Sequence, residues 1–327
     1  MWIYPRTDSR CMKKQFPFFV SILALLVVVS ASSVSAAPIK HEFIAIDEGL
    51  AMLLHVNEND SSKDWRVPIG QAQARDMQLI GDGRILIGHD RGYSEFSIAT
   101  GKVLKEFTAL SGVASVRRLT NGHTLIAGID MNGAKGVVLL DLDSADTIQS
   151  QTVYPDKYVR MVRHTAKGTL LMACDKTIKE SDNAGHYLWE ATVEKFGHAW
   201  KAVRLPNGHT FASAGYGGFM VELDADGKVL RKFGGKETTP AAVNSSFFAM
   251  FQLLANGHVV VANWQGHGPG HGASGVQLLE FDQNGDIAWQ WSKAELISSL
   301  QGVLVLDGLN TAVLNDERNG PMEAMPR

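Results

Sequence analysis

Six times along the chain a short apolar run meets a tight glycine turn, and a second apolar run follows. The phrases are MQLIGDGRILIG (77–88), VRRLTNGHTLIAG (116–128), VRHTAKGTLLMA (162–173), VRLPNGHTFASAG (203–215), FQLLANGHVVVAN (251–263) and VLVLDGLNTAVLN (303–315). Their turn glycines, Gly83, Gly122, Gly168, Gly208, Gly257 and Gly308, recur every 39 to 51 residues. Asn-Gly and Asp-Gly supply the positive φ angles of tight hairpins, so each phrase predicts two antiparallel strands. A second hairpin phrase follows most of the first ones: YSEFSIATGKVLKEF (93–107), GHYLWEATV (185–193), FMVELDADGKVLRKF (219–233) and VQLLEFDQNGDIAWQW (276–291). Two hairpins in each 40 to 50 residues, in tandem, are the sequence pattern of a β-propeller. A four-stranded blade cannot bury both faces alone and must stack on its neighbours, which excludes a string of separate hairpins.

The expected fold is therefore all-β, a single propeller of about six four-stranded blades. The segment HEFIAIDEGLAMLLHVNENDSSKDWRVP (41–68) reads as strands that complete the blade begun by residues 303–315. Pairing the N- and C-terminal strands would close the ring and remove its exposed edges. Counting FIAI, AMLLHV and DWRV beside a full hairpin at 303–315 gives one strand too many, which leaves seven blades as the alternative.

Before the repeats, MKKQFPFFVSILALLVVVSASSVSAAP reads as a secretory signal. Lys13 and Lys14 form its positive end, Phe16 to Val29 its apolar core, and Val34, Ser35 and Ala36 a small-residue cleavage pattern. The natural start of this signal is Met12, and the division expected is 1–36 signal and 37–327 propeller. A periplasmic or secreted location follows, with no membrane insertion after cleavage. Removing residues 1–36 takes away four basic residues and one acidic one, so the formal charge falls from −3 to −6. A mildly acidic chain without a basic stripe is unsuited to nucleic acid or to an anionic membrane surface. Of the two cysteines only Cys174 survives cleavage, which excludes a disulfide within the mature chain.

SIATGKVLKEF and DQNGDIAWQW resemble the blade motif of the PQQ-like propeller superfamily, in which a Trp follows the turn glycine by four residues. Trp189 follows Gly185 and Trp289 follows Gly285 at that spacing, and Trp65 holds the corresponding place in the N-terminal piece; Lys105 and Arg231 replace it in two blades. LPNGHT is similar to the LPNGNT phrase of arylsulfotransferase-like propellers, and FFAMFQLLANGHVVVANWQGHG resembles exported bacterial propellers. The resemblance covers nearly all of residues 41–315. It implies the fold, and two enzymatic alternatives: an arylsulfotransferase-like enzyme with a channel histidine as acceptor, or a quinoprotein-like enzyme. This chain lacks the adjacent cysteines often present in the quinoprotein family.

In a propeller the inner strand of each blade lines the channel, and residues entering it share one face with those leaving the second strand. That convergence is where chemistry usually sits. The entering residues include Arg75, Asp76, Ser115, Tyr158, Arg160, His198, Trp200, Lys201, Phe247 and Gln301. The leaving residues include Arg91, Asp175, Tyr216, Trp264, Gln265, His267 and His271, with 315–318 in the last blade. From these the expected binding set is Arg75, Tyr158, Arg160, His198, Trp200, Tyr216, Trp264, Gln265, His267, His271 and Gln301, with His198 the candidate for a catalytic role. Arg75, Arg91, Arg160 and Arg318 either pair with a nearby Asp (Asp76, Asp90, Asp175 or Asp316) or stay free to grip an anion through their planar fork. His123, His209 and His258 follow hairpin glycines at the opposite end and read as turn residues.

His267 and His271 have a helical zinc spacing, but Gly-Pro-Gly between them forbids a helix, so no metal or other cofactor is assigned; a divalent cation held with loop carboxylates is the alternative. The expected function is binding of a small polar or anionic ligand, of sugar or aryl type, with a protein partner as the competing use of the broad face.

Overall fold

The computed structural model describes residues 37–325, so the secretory signal and its cleavage point lie outside the described residues. Six four-stranded antiparallel sheets follow one another, each running from an inner to an outer strand. Blade 2 is Asp76–Gly81, Arg84–His89, Gly92–Ser97 and Val103–Phe107. Blade 3 begins with Val113–Arg118, blade 4 with Val162–His164, blade 5 with Ala202–Arg204 and blade 6 with Phe247–Leu253. Blade 1 is composite: Leu300–Val305 is its inner strand, and Glu42–Asp47, Met52–Asn57 and Trp65–Pro68 complete it. All six turn glycines of the repeat phrase sit at positive φ, between 66° and 87°.

Burial follows position in the blade. Inner and second strands are apolar runs with both faces covered, such as Phe247–Leu253 and Val259–Trp264. Outer strands alternate, as in Val229–Gly234 and Ile287–Trp291, because only one face meets the next blade. Trp65, Trp189 and Trp289 each dock on the following blade. Trp65 donates its indole N–H to the Ile98 carbonyl at 2.8 Å, and Trp189 lies beneath the Gly227 turn. Trp289 packs edge-on against His41 and Phe43 and donates to Glu58.

Ring closure differs from expectation in one respect. Residues 303–315 do not form a hairpin within a blade. Glu42–Asp47 takes the place beside Leu300–Val305, pairing Phe43 with Val305 and Ala45 with Val303. With that slot filled, the three N-terminal strands and one C-terminal strand make four, and the ring has six blades rather than seven. Phe43 to Asp47 are fully buried, whereas NTAVLN (310–315) carries polar residues and is exposed or half-buried until Asn315. The continuous apolar strand gains more by burial and wins the second position. His41 fastens this seam, with Nδ1 2.5 Å from Asp307 and Nε2 2.7 Å from Glu280. Burial disfavours the imidazolium, but the two carboxylates outweigh it and push the His41 pKa up to about 9.

The displaced C-terminal segment crosses the turn end of the ring. Leu314 bridges to Ile80, and Asn315–Asp316 forms a two-residue ladder with Glu323–Ala324. This short hairpin plugs the channel. Glu317 accepts Arg163 Nε at 2.8 Å and bonds Lys201 Nζ, while Asp316 accepts Arg117 at 2.6 Å. Asp76 completes the cluster by taking Arg163 at 2.8 Å and the Ser115 hydroxyl at 2.6 Å. Three cations and three carboxylates are thus buried together in the centre of the ring.

Candidate functional site

At the end of the ring opposite the plug, the entering and leaving segments surround a cavity of about 360 Å³. Arg75, Arg160, His198, Trp200, Tyr216, Trp264, His267 and Gln301 line it, together with Phe247, Glu48 and Gln73. The structure therefore gathers most of the expected binding set in one place. Tyr158 stands just behind the lining, with its ring 4.6 Å from His198 and beneath the Arg160 guanidinium at 4.5 Å. Gln265 turns aside to the Asn244 and Asn263 carbonyls. His271 is held by Ser298 and by the His267 carbonyl, away from the cavity.

The expected residues 315–318 are not at this mouth. Asn315, Asp316 and Glu317 are buried, Asp316 and Glu317 within the plug, and Arg318 pairs with Asp316 on the plug side. The residue that leaves the second strand of blade 1 is instead Glu48, directly after Glu42–Asp47. The hairpin phrase at 303–315 reads NTAVLN as the second strand and so hides Glu48; the apolar run FIAID is the signal that points to it. Gln73, at φ 57°, lies two residues before Arg75, ahead of the strand entry that the repeat marks, and bonds its guanidinium.

The two arginines at the mouth behave differently from those in the plug. Asp76 is taken by Arg163 rather than Arg75, and Asp175 receives the His198 backbone N–H rather than Arg160. Among the described residues neither Arg75 nor Arg160 makes an ion pair, while Arg117 and Arg163 each make several. Burial first, and then repulsion from Arg160, push the Arg75 pKa down to about 10. Burial also lowers that of Arg160. Arg160 is held by the faces of Tyr158 and Trp200, the latter at 5.2 Å, contacts that stabilise a cation without neutralising it.

Four buried polar atoms at the mouth have no hydrogen-bond partner among the described residues: Arg160 Nε, Tyr158 Oη, Trp200 Nε1 and Gln301 Oε1. Buried polar groups are normally bonded, so a cluster of orphans, three of them donors, marks a place where a polar ligand or water would complete the structure. Aromatic rings form the rest of the wall. Tyr216, Phe247 and Trp264 meet edge to face, with Tyr216 to Phe247 at 4.7 Å and Phe247 to Trp264 at 5.3 Å; Trp200 meets Phe247 at 5.4 Å.

His198 adopts φ 55°, an uncommon conformation for a non-glycine residue, and its N–H is fixed by Asp175 at 3.1 Å. Burial and the neighbouring Arg160 lower its pKa, which favours the free base. Glu48 closes the far wall, accepting Trp264 Nε1 at 3.2 Å and His267 Nδ1 at 2.9 Å. Among the described residues no group of three or more His, Cys, Asp or Glu is placed to hold a metal ion, and no helix is long and apolar enough to cross a membrane.

No family model matches the chain, and no curated protein matches it. Solved structures do. A Bacteroides caccae protein of unknown function aligns over 82% of this chain and 99% of its own, with a TM-score of 0.65 and 18% identity. A streptogramin B lyase aligns over 78% and 83%, with a TM-score of 0.51 and 12% identity. The WD40 β-propeller domain of Doa1 aligns over 77% and 79%, with a TM-score of 0.51 and 15% identity. At these identities the likeness is one of fold, and it places the chain among the β-propellers, whose members carry unrelated activities.

Proposed function

We propose that this propeller binds a small organic anion at the mouth opposite the plug, with the anionic group on Arg75 and Arg160 and the body of the ligand against the aromatic wall. The observation that carries this reading is a pair of half-buried guanidinium groups without an ion pair among the described residues, beside orphaned donors in the same cavity. A guanidinium fork matches a carboxylate, sulfate or phosphate bidentately. Trp200, Phe247 and Trp264 supply flat apolar area for an aryl or sugar ring. A cavity of this size suits a small molecule better than a protein partner. The signal-like stretch before the repeats supports a periplasmic or secreted setting for this binding.

Titration calorimetry with benzoate, phenyl phosphate and phenyl sulfate tests the proposal. Saturable binding that weakens at least about tenfold in Arg160→Gln and Arg75→Gln, with unchanged melting, is the expected result. Equal affinity in wild type and both variants would sink it.

A second reading, resembling the arylsulfotransferase-like propellers, makes His198 a nucleophile. It is favoured by the lowered His198 pKa, which keeps an imidazole nitrogen unprotonated next to Arg160. Turnover of an aryl sulfate that vanishes in His198→Ala, with binding retained, would establish this reading; binding without turnover would leave the first.

A further inference from the structure

The mouth holds an acid as well as its two bases. Glu48 and Arg75 line the same cavity and feel one another's charge, yet they form no ion pair. Opposite charges in a half-buried space would ordinarily close on each other. Here each is held back: Glu48 by the indole N–H of Trp264 and the ring of His267, Arg75 by Gln73 and the Val113 carbonyl. Gly49 keeps the Glu48 loop tight against the opposing loop, since a Cβ there would lie 2.4 Å from the Gly268 carbonyl oxygen. The result is a dipolar cavity, cationic at Arg75 and Arg160 and anionic at Glu48.

The surroundings of the two poles differ. Around the arginines are orphaned donors, which suit an anion that accepts hydrogen bonds. Around Glu48 are Trp264 and Phe247, with Trp200 and Tyr216 beyond them. Aromatic faces attract a cation through their quadrupole without offering it a hydrogen-bond acceptor. Part of the acceptor capacity of Glu48 is already used by Trp264 and His267, so its remaining contribution is chiefly charge. That combination favours an alkylated ammonium over a primary one, because an N-methyl group needs charge and aromatic surface but no acceptor.

We infer that the ligand is a zwitterion, with its carboxylate or phosphate on Arg75 and Arg160 and a methylated ammonium group between Glu48 and the aromatic wall. The inference rests on the anion-binding reading of the same cavity and adds the second pole. It accounts for Glu48 and the ring cluster, which an anion alone would not require.

The test uses probes of matched shape. Phosphocholine and 3,3-dimethylbutyl phosphate differ only in a nitrogen cation replaced by carbon; glycine betaine and 3,3-dimethylbutanoate form a second such pair. Choline supplies the cation alone. Calorimetry on the full mature chain should show the zwitterion of at least one pair binding about tenfold or more tightly than its carbon isostere. Glu48→Gln keeps an acceptor for the Trp264 indole and should abolish that preference while leaving affinity for the carbon isostere. Equal affinity within both pairs overturns the zwitterion and leaves the anion reading standing. Choline binding as tightly as phosphocholine, unaffected by Arg160→Gln, overturns the anion reading itself. Failure of all five probes to bind overturns both.

Discussion

Arg163 and Arg160 are three residues apart and face opposite fates. Arg163 is fully buried in the plug, where Asp76 and Glu317 hold it at 2.8 Å each. Arg160 opens on the mouth, where aromatic faces support it and no carboxylate of the described residues neutralises it. The same contrast separates Lys201 from Trp200 and Asp76 from Arg75: one of each neighbouring pair points into the ion cluster and the other into the cavity. Strand alternation sends adjacent side chains to different surroundings, so a single inner-strand entry can serve folding with one residue and a ligand with the next. Charge in the plug is matched because it has no access to water. At the mouth Arg75 and Arg160 make no ion pair among the described residues, and the proposed ligand would supply their counterpart.

The sharpest way to break this comparison is to remove one cation from each end. Arg163→Met strands Asp76 and Glu317 without their principal partner and should cost about 3 to 5 kcal/mol of stability. Arg160→Met removes a cation that has no ion pair and should cost under about 1 kcal/mol. Equal losses in denaturant melts of the two variants would dissolve the distinction.

Strong acid should weaken the plug. Burial resists charge on Asp316, but Arg117 overcomes that cost and brings its pKa from the ordinary 3.8 down to about 2. A carboxylate lowered in the folded state contributes stability that is fully present above pH 3.8 and is lost as pH falls through 2. The amount is roughly 2 to 3 kcal/mol. Melting temperature in wild type should fall steeply across that window, and Asp316→Asn should flatten the fall. An identical acid slope in both proteins would count against the assignment.

The smallest effect is expected at Arg75. Its pKa is lowered to about 10, so the folded state disfavours its charged form and gains nothing from it. Arg75→Gln should leave stability unchanged or raise it by up to about 1 kcal/mol while weakening anion affinity. A marked drop in melting temperature would mean that Arg75 belongs with the structural cations after all.

Local chemistry made the scaffold readable. Gly83, Gly122, Gly168, Gly208, Gly257 and Gly308 carry positive φ because the turns they occupy demand it, and that demand is written in Asn-Gly, Asp-Gly and their neighbours. His123, His209 and His258 were legible as turn residues for the same reason, and each ring sits on an acid of the third strand, Asp141, Glu222 and Glu280. Which end of the blade a side chain occupies also follows from the repeat, which is why Arg75, Arg160, His198, Trp200, Trp264 and Gln301 could be named together.

What the repeat does not encode is competition between distant segments. Gly308 makes its turn as the phrase requires, yet the strand after it loses the edge of Leu300–Val305 to a segment about 250 residues away in the chain. Local turn energetics are the same in either arrangement; only the burial of Phe43, Ile44 and Ile46 against NTAVLN decides between them. That one exchange fixes six blades, leaves Asp316 and Glu317 to the channel and brings Glu48 to the mouth, while Arg163 and the His198 N–H take Asp76 and Asp175 from Arg75 and Arg160. The amino-acid sequence by itself determined the blades and the face on which a site could form. The charges left unpaired there were decided by contacts between segments, such as Arg163 with Asp76, whose distances no local pattern contains.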